Sequence, residues 1–184
     1  MSAADAVVDG AERIAAAFAG AKGRAALMPY LMGGFPDIET SLRIGEAYID
    51  GGADLIELGV PFSDPLADGP VIQAAGARAL AAGTTTEDVL RVAERLSARV
   101  PVVLMTYVNL VLGAGTERFA ERAAAAGASG LIIPDLPLEE RGDALAACNA
   151  AGRPCDEPRC APCCAVPNAI SPDSCAPSSI TTLP

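Results

Sequence analysis

The chain has 184 residues, about half of them apolar, which is enough for one sizeable core and small for two domains. No apolar run approaches the roughly 20 residues that span a membrane, and Met1-Ser2-Ala3-Ala4-Asp5 lacks the basic start of a signal peptide, so a soluble, cytoplasmic protein is expected. A net charge of −10 disfavours nucleic acid and anionic lipid, and the absence of His removes Ser-His-Asp triads and His-ligated zinc.

A short amphipathic helix is predicted from Asp9 to Gly20, with Ile14, Ala15 and Phe18 inward, as a lid over the bottom of the fold. The single Lys, Lys22, precedes the first strand, so no Schiff-base lysine is expected at a strand end. Ala25 to Met32 reads as that strand and Gly33-Gly34-Phe35-Pro36 as its loop. Asp37 can cap the next helix, which carries Leu42, Ile44, Ala47, Tyr48 and Ile49 at helical spacing and stops at Gly51-Gly52. Asp54 to Val60 is the second strand. Val71 to Ala82 and Thr86 to Arg99 are helices, the latter with Val89, Leu90, Val92, Ala93 and Leu96 inward. Pro101 to Tyr107 is the third strand, Thr116 to Ala126 a helix and Ser129 to Pro134 the fourth strand. Leu138 to Ala151 is a last helix, with Leu145, Ala146 and Cys148 buried. Four alternations of apolar strand and helix predict a parallel α/β sheet, either open and doubly wound or part of a (β/α)8 barrel. No Gly-x-Gly-x-x-Gly follows the first strand, which weakens the dinucleotide-binding version.

The second strand carries Glu57 within an apolar run, where an ionised carboxylate needs a partner or a proton. The loop after it, punctuated by Pro61, Pro65, Gly69 and Pro70, returns a second acid, Asp68. One strand and its loop can thus bring two carboxylates to one end of a sheet, placed for acid/base work. With no His and one Lys, such chemistry falls to carboxylates, Tyr or Cys.

After Gly152 the pattern stops. Residues 153–184 hold seven Pro and five Cys with no helix or strand period, whereas the first 152 residues hold one Cys. A change of reading frame near codon 152 would produce such a shift. The domain is therefore drawn at 1–152, and 153–184 is expected to be a disordered, out-of-frame tail. Cys160-Ala161-Pro162-Cys163 has zinc-knuckle spacing, but the apolar residues of a zinc module are missing around it, so free thiols and no metal are expected.

Residues 55–70, Leu-Ile-Glu-Leu-Gly-Val-Pro-Phe-Ser-Asp-Pro-Leu-Ala-Asp-Gly-Pro, closely resemble the signature of the tryptophan synthase alpha subunit family. Pro29-Tyr30 with Gly33-Gly34-Phe35-Pro36, Met105-Thr106-Tyr107-Val108-Asn109 and Pro134-Asp135-Leu136-Pro137 extend the likeness, which covers about residues 10–152. The resemblance implies a truncated TIM barrel of about four βα units, from a family of lyases that cleave indole-3-glycerol phosphate to indole and glyceraldehyde 3-phosphate in tryptophan biosynthesis. Glu57 and Asp68 match its catalytic acids, while Tyr30, Met105, Tyr107, Ile132 and Pro134 match its indole pocket. Asp64 matches the loop facing the beta subunit of an alpha2beta2 heterotetramer, whose pyridoxal phosphate belongs to that partner, so this chain is expected to carry no cofactor. The family holds substrate phosphate with the second half of the barrel, which is replaced here. The expected outcome is an inactive chain, or a non-catalytic one that keeps only beta-subunit docking. Read from the residues alone, Glu57 is also compatible with a structural ion pair, Asp64 and Asp68 with turn formation, and Tyr30 and Tyr107 with plain core packing.

Overall fold

The structure is a computed structural model, and it describes residues 10–137 and 139–151. The elements follow in the order α1 (Gly10–Gly20), β1 (Tyr30–Met32), α2 (Ile38–Asp50), β2 (Ile56–Gly59), α3 (Pro70–Ala81), α4 (Thr86–Ser97), β3 (Val102–Met105), α5 (Val108–Ala114), α6 (Thr116–Ala125), β4 (Gly130–Ile132) and α7 (Gly142–Ala150). Local chemistry explains where several begin. Asp37, in extended conformation, accepts the Thr40 N–H at 2.8 Å and so satisfies an otherwise orphaned donor of α2. Thr85 and Asp88 form a reciprocal capping box at the start of α4. Pro70 opens α3, where its missing N–H costs nothing.

All four strands are parallel and lie in the order β1-β2-β3-β4. Every crossover steps to the next strand in one direction, without the reversal that defines a doubly wound sheet. The sheet is therefore an arc of a barrel. Its outer face, with Leu31, Ile56, Leu58, Val102, Leu104 and Leu131, packs on Val89, Leu90 and Leu96 of α4, Phe119 of α6 and Ala147 of α7. Strand geometry sends the intervening residues to the opposite, inner face. There Ile14 of α1 packs against Leu55, Val103 and Ile132. Arg13 donates to the carbonyls of Ser97, Val100 and Gly127, in the turns that enter β3 and β4. Helix α1 therefore closes the end of the sheet where strands begin, and the opposite end is left for a site.

Several boundaries and faces differ from the sequence reading. Ala15 and Phe18 are exposed, because the inward stripe of α1 is Gly10 and Ile14, with Ala21 just past its end. A Cβ at Gly10 would stand 2.2 Å from the Ser129 carbonyl oxygen, so α1 meets the entry of β4 at glycine. Ladder pairing in β1 covers only Tyr30–Met32, although the preceding stretch already runs beside β2: Pro29 and Leu27 carbonyls accept from Glu57 and Asp54. Strand β3 ends at Met105, and Tyr107 is instead the N-cap of α5, an unpredicted helix. In α7 the buried pair is Ala147 and Cys148, whereas Ala146 is exposed. The 153–184 tail, its cysteines and the 152/153 domain boundary lie outside the described residues.

Candidate active site

Glu57 points to the inner face of β2, in one register row with Tyr30 of β1 and Val103 of β3. It is half-buried beneath the end of the sheet left open by α1. Burial pushes its carboxyl above the ordinary glutamate value, and the Asp68 charge pushes it further. The next inward position of β2 is Gly59. A Cβ there would lie 2.0 Å from the Tyr30 hydroxyl oxygen and 2.7 Å from the ring carbon bearing it, so the tyrosine ring lies across bare backbone. Glycine is required at this position by close approach rather than by φ.

The loop from Val60 to Gly69 brings Asp68 back to the same end. Gln73 of α3 donates to the Asp68 carbonyl at 2.9 Å, and the Ala67 N–H donates to the Tyr107 hydroxyl oxygen at 3.0 Å. The Tyr107 ring stacks on Phe62 with centroids 5.1 Å apart. Burial raises the Asp68 carboxyl, while a hydrogen bond from the Tyr107 hydroxyl works in the opposite direction. Tyr30 is held well above the ordinary tyrosine range, first by burial and then by the charges of Asp68 and Glu57 and by Tyr107. Four titratable side chains, from β1, β2, the start of α5 and the loop after β2, thus share one electrostatic neighbourhood. Burial and the Asp68 charge both favour the protonated form of Glu57, whereas at Asp68 the Tyr107 hydrogen bond opposes the larger effect of burial. Two carboxyls so placed, one of them favoured in its protonated form, have the chemistry to protonate a substrate and to face the cation so formed.

Apolar side chains flank the pair. Met105 and Ile132 occupy the inner row that also contains Met32 and Gly59. Pro134 follows two positions beyond Ile132 and is half-buried. Tyr107 differs from these: at 1 % exposure its ring supports the 60–69 loop, and its hydroxyl is engaged by Ala67 and Asp68. Asp64 stands apart from the acids on the exposed side of the loop, bonded to its neighbour Ser63. The structure thus gathers Tyr30, Glu57, Asp68, Met105, Tyr107 and Ile132 at one end of the sheet, and Asp64 points elsewhere.

Sequence reasoning missed Met32, Gly59 and Phe62, although strict alternation from Tyr30 and Glu57 would have found the first two. It also assigned no role to Asp135, whose carboxylate accepts the Val108 N–H at 2.8 Å across 27 positions of sequence. Among the described residues no group of three or more His, Cys, Asp or Glu is placed to hold a metal. Nor is any described helix long and apolar enough to cross a membrane.

One family's sequence model, described as tryptophan synthase alpha chain, matches residues 17–154. The tryptophan synthase alpha chain of Synechococcus sp. (strain CC9902) is 58 % identical over 121 residues, which are 65 % of this chain and 45 % of that protein. The tryptophan synthase alpha chain of Methanosarcina acetivorans is 52 % identical over 131 residues, or 71 % of this chain and 48 % of that one. In structure, tryptophan synthase from M. tuberculosis superposes with a TM-score of 0.74 at 41 % identity, covering 77 % of this chain and 58 % of its own. The tryptophan synthase alpha subunit of Legionella pneumophila gives 0.73 at 35 % identity, covering 79 % and 56 %. The chain spans about half the length of the relatives it matches.

Proposed function

The chain belongs to the tryptophan synthase alpha chain family, and on that premise we propose that its four βα units carry the acid/base part of a lyase site for indole-3-glycerol phosphate. The observation that carries this reading is the pair Glu57, on the inner face of β2, and Asp68, on the following loop and near enough for its charge to raise the Glu57 carboxyl. In the reaction, Glu57 donates its proton to C3 of the indole ring, and Asp68 accepts the ring N–H and balances the positive charge that develops there. The hydroxyl on the side-chain carbon next to C3 then loses its proton to the Glu57 carboxylate. The bond from that carbon to C3 breaks, its electrons return to the ring, and indole and glyceraldehyde 3-phosphate result. Tyr30, Met105, Ile132 and Pro134 supply an apolar slot suited to a flat bicycle, with Tyr107 behind it. No step needs a cofactor from this chain; pyridoxal phosphate would belong to the beta subunit.

The 184-residue chain by itself is proposed to lack turnover, since substrate phosphate is held by later βα units in the family. Addition of indole should shift the NMR signals of the Met32 and Met105 methyls and the Ile132 methyls. Absence of any shift at millimolar indole would overturn the slot, and release of indole from indole-3-glycerol phosphate by the isolated chain would overturn its inactivity. A docking-only role is favoured by a separate observation: Leu66 and Val71 flank the exposed Asp64 loop at 84 % and 78 % exposure. Under that reading Asp64, Leu66 and Val71 meet the beta subunit, and a pull-down with beta subunit captures the chain without restoring turnover. A cytoplasmic setting is part of the same proposal.

A further inference from the structure

Helix α5 begins without a cap of its own: Tyr107 stands at the N-cap position, extended, and its side chain bonds none of the helix donors. The cap arrives from another βα unit, as Asp135 in the loop after β4 accepts the Val108 N–H at 2.8 Å. Val108 directly follows Tyr107. The Tyr107 side chain in turn takes the Ala67 N–H at 3.0 Å and stacks on Phe62. These contacts form one continuous chain from the loop after β4, through the end of β3, to the loop after β2. We propose that Asp135 is a positioning residue for the acid pair, holding Tyr107 in the place from which it fixes Asp68. The proposal rests on the reading of Glu57 and Asp68 as the acid pair.

The geometry argues for this over a purely stabilising cap. The α5 helix is only seven residues long and gains little from capping by itself. What it carries at its first boundary is a side chain that joins the 60–69 loop to the segment after β3 through a hydrogen bond and a ring stack. Tyr107 is buried at 1 % exposure, so its ring cannot reorient freely, and its hydroxyl is fixed by where the backbone at 107–108 sits. A carboxylate oxygen serves as acceptor here, and an amide oxygen of the same shape can replace it. The titratable groups facing Asp68 are Glu57 of β2, Tyr30 of β1 and Tyr107 after β3. Loosening Tyr107 removes the one hydrogen bond among them that favours ionised Asp68.

The test follows the side-chain carboxyl carbons of Asp68 and Glu57 by NMR across a pH titration of the whole 184-residue chain, with no indole or substrate present. D135A is expected to raise the Asp68 midpoint by about half a unit or more, with Y107F moving it the same way at least as far. D135N, which keeps the acceptor oxygen, should return the midpoint to the parent value. D37A removes a comparable helix cap at α2 and should leave Asp68 unmoved. An Asp68 midpoint unchanged in D135A, or moved equally by D37A, overturns the proposal. Should D135A fail to fold, an unchanged midpoint in Y107F overturns it alone. Failure of the lyase reading would instead show as absent indole binding with the link from Asp135 to Asp68 intact.

Discussion

The two faces of one sheet are built from alternate residues of the same short strands, and they answer to different demands. On the outer face Ile56, Leu58, Val102 and Leu104 are fully buried against α4 and α6. On the inner face the same strands present Tyr30, Glu57, Gly59 and Met105, with two titratable groups and one missing side chain. The outer set buries aliphatic area and so carries the free energy of folding. The inner set keeps a carboxyl desolvated and a tyrosine wedged over glycine, which costs stability and prepares chemistry. A residue's parity along the strand, more than its type, decides which demand it meets.

Truncations should separate the faces most strongly. Leu104→Ala, at a wholly buried outer position, is expected to destabilise by about 3 kcal/mol in urea unfolding, through lost transfer energy and a cavity. Ile132→Ala, on the half-exposed inner face, should cost about 1 kcal/mol. Equal costs would break the division of labour between the faces.

Gly59→Ala sharpens the inner side. The new methyl would meet the Tyr30 hydroxyl group and push the ring away, at a cost of about 2 kcal/mol. Because the obstacle is one side chain, the cost should largely vanish in a Tyr30→Ala background, and the cycle measures the coupling directly. A cost that persists there would place the clash in the backbone instead.

Glu57→Gln should act in the opposite direction. The folded protein raises the Glu57 carboxyl above its unfolded value through burial and the Asp68 charge, so ionising it costs stability. The variant is expected to be more stable than the parent at pH 7, and the gain should vanish below about pH 4, where the group is protonated whether folded or unfolded. Parallel stability curves from pH 4 to 7 would show that Glu57 is not desolvated.

How much of this could be read beforehand depends on whether the cause is local. Asp37 before α2 and the inward set Val89, Leu90, Val92, Ala93 and Leu96 of α4 are legible because a cap and a helical stripe act within a few residues. The acids Glu57 and Asp68 are legible as a strand carboxylate and a loop carboxylate. Helix α5 is not, because its cap is Asp135, far along the chain. Barrel against doubly wound sheet turns on strand order, which alternation alone leaves open. The resemblance places Tyr107 in the indole pocket, yet the partners of its hydroxyl, Ala67 and Asp68, depend on how the loop returns.

The smallest effect offers the closest comparison, since Asp54 and Glu57 are three residues apart on one chain segment and are shifted oppositely. Asp54 lies where β2 is about to begin, outside the site. Arg24 grips it with two hydrogen bonds of 2.6 and 2.7 Å, and the Leu27 N–H adds a third at 2.7 Å. Chiefly through the Arg24 hydrogen bond, its carboxyl is held down at about 2. The folded value lies below the unfolded one, so Asp54 contributes stability that is present above about pH 4 and lost as pH falls through about 2. Asp54→Asn should therefore flatten the fall in stability between those limits and leave the slope between pH 4 and 7, where Glu57 acts, unchanged. The pair is exposed on the arginine side, so the loss at neutral pH should be small and shrink with added salt. An unaltered acid slope would mean that Arg24 does not hold Asp54 in solution, and that the contrast between the closed and open ends of the sheet rests on Glu57 alone.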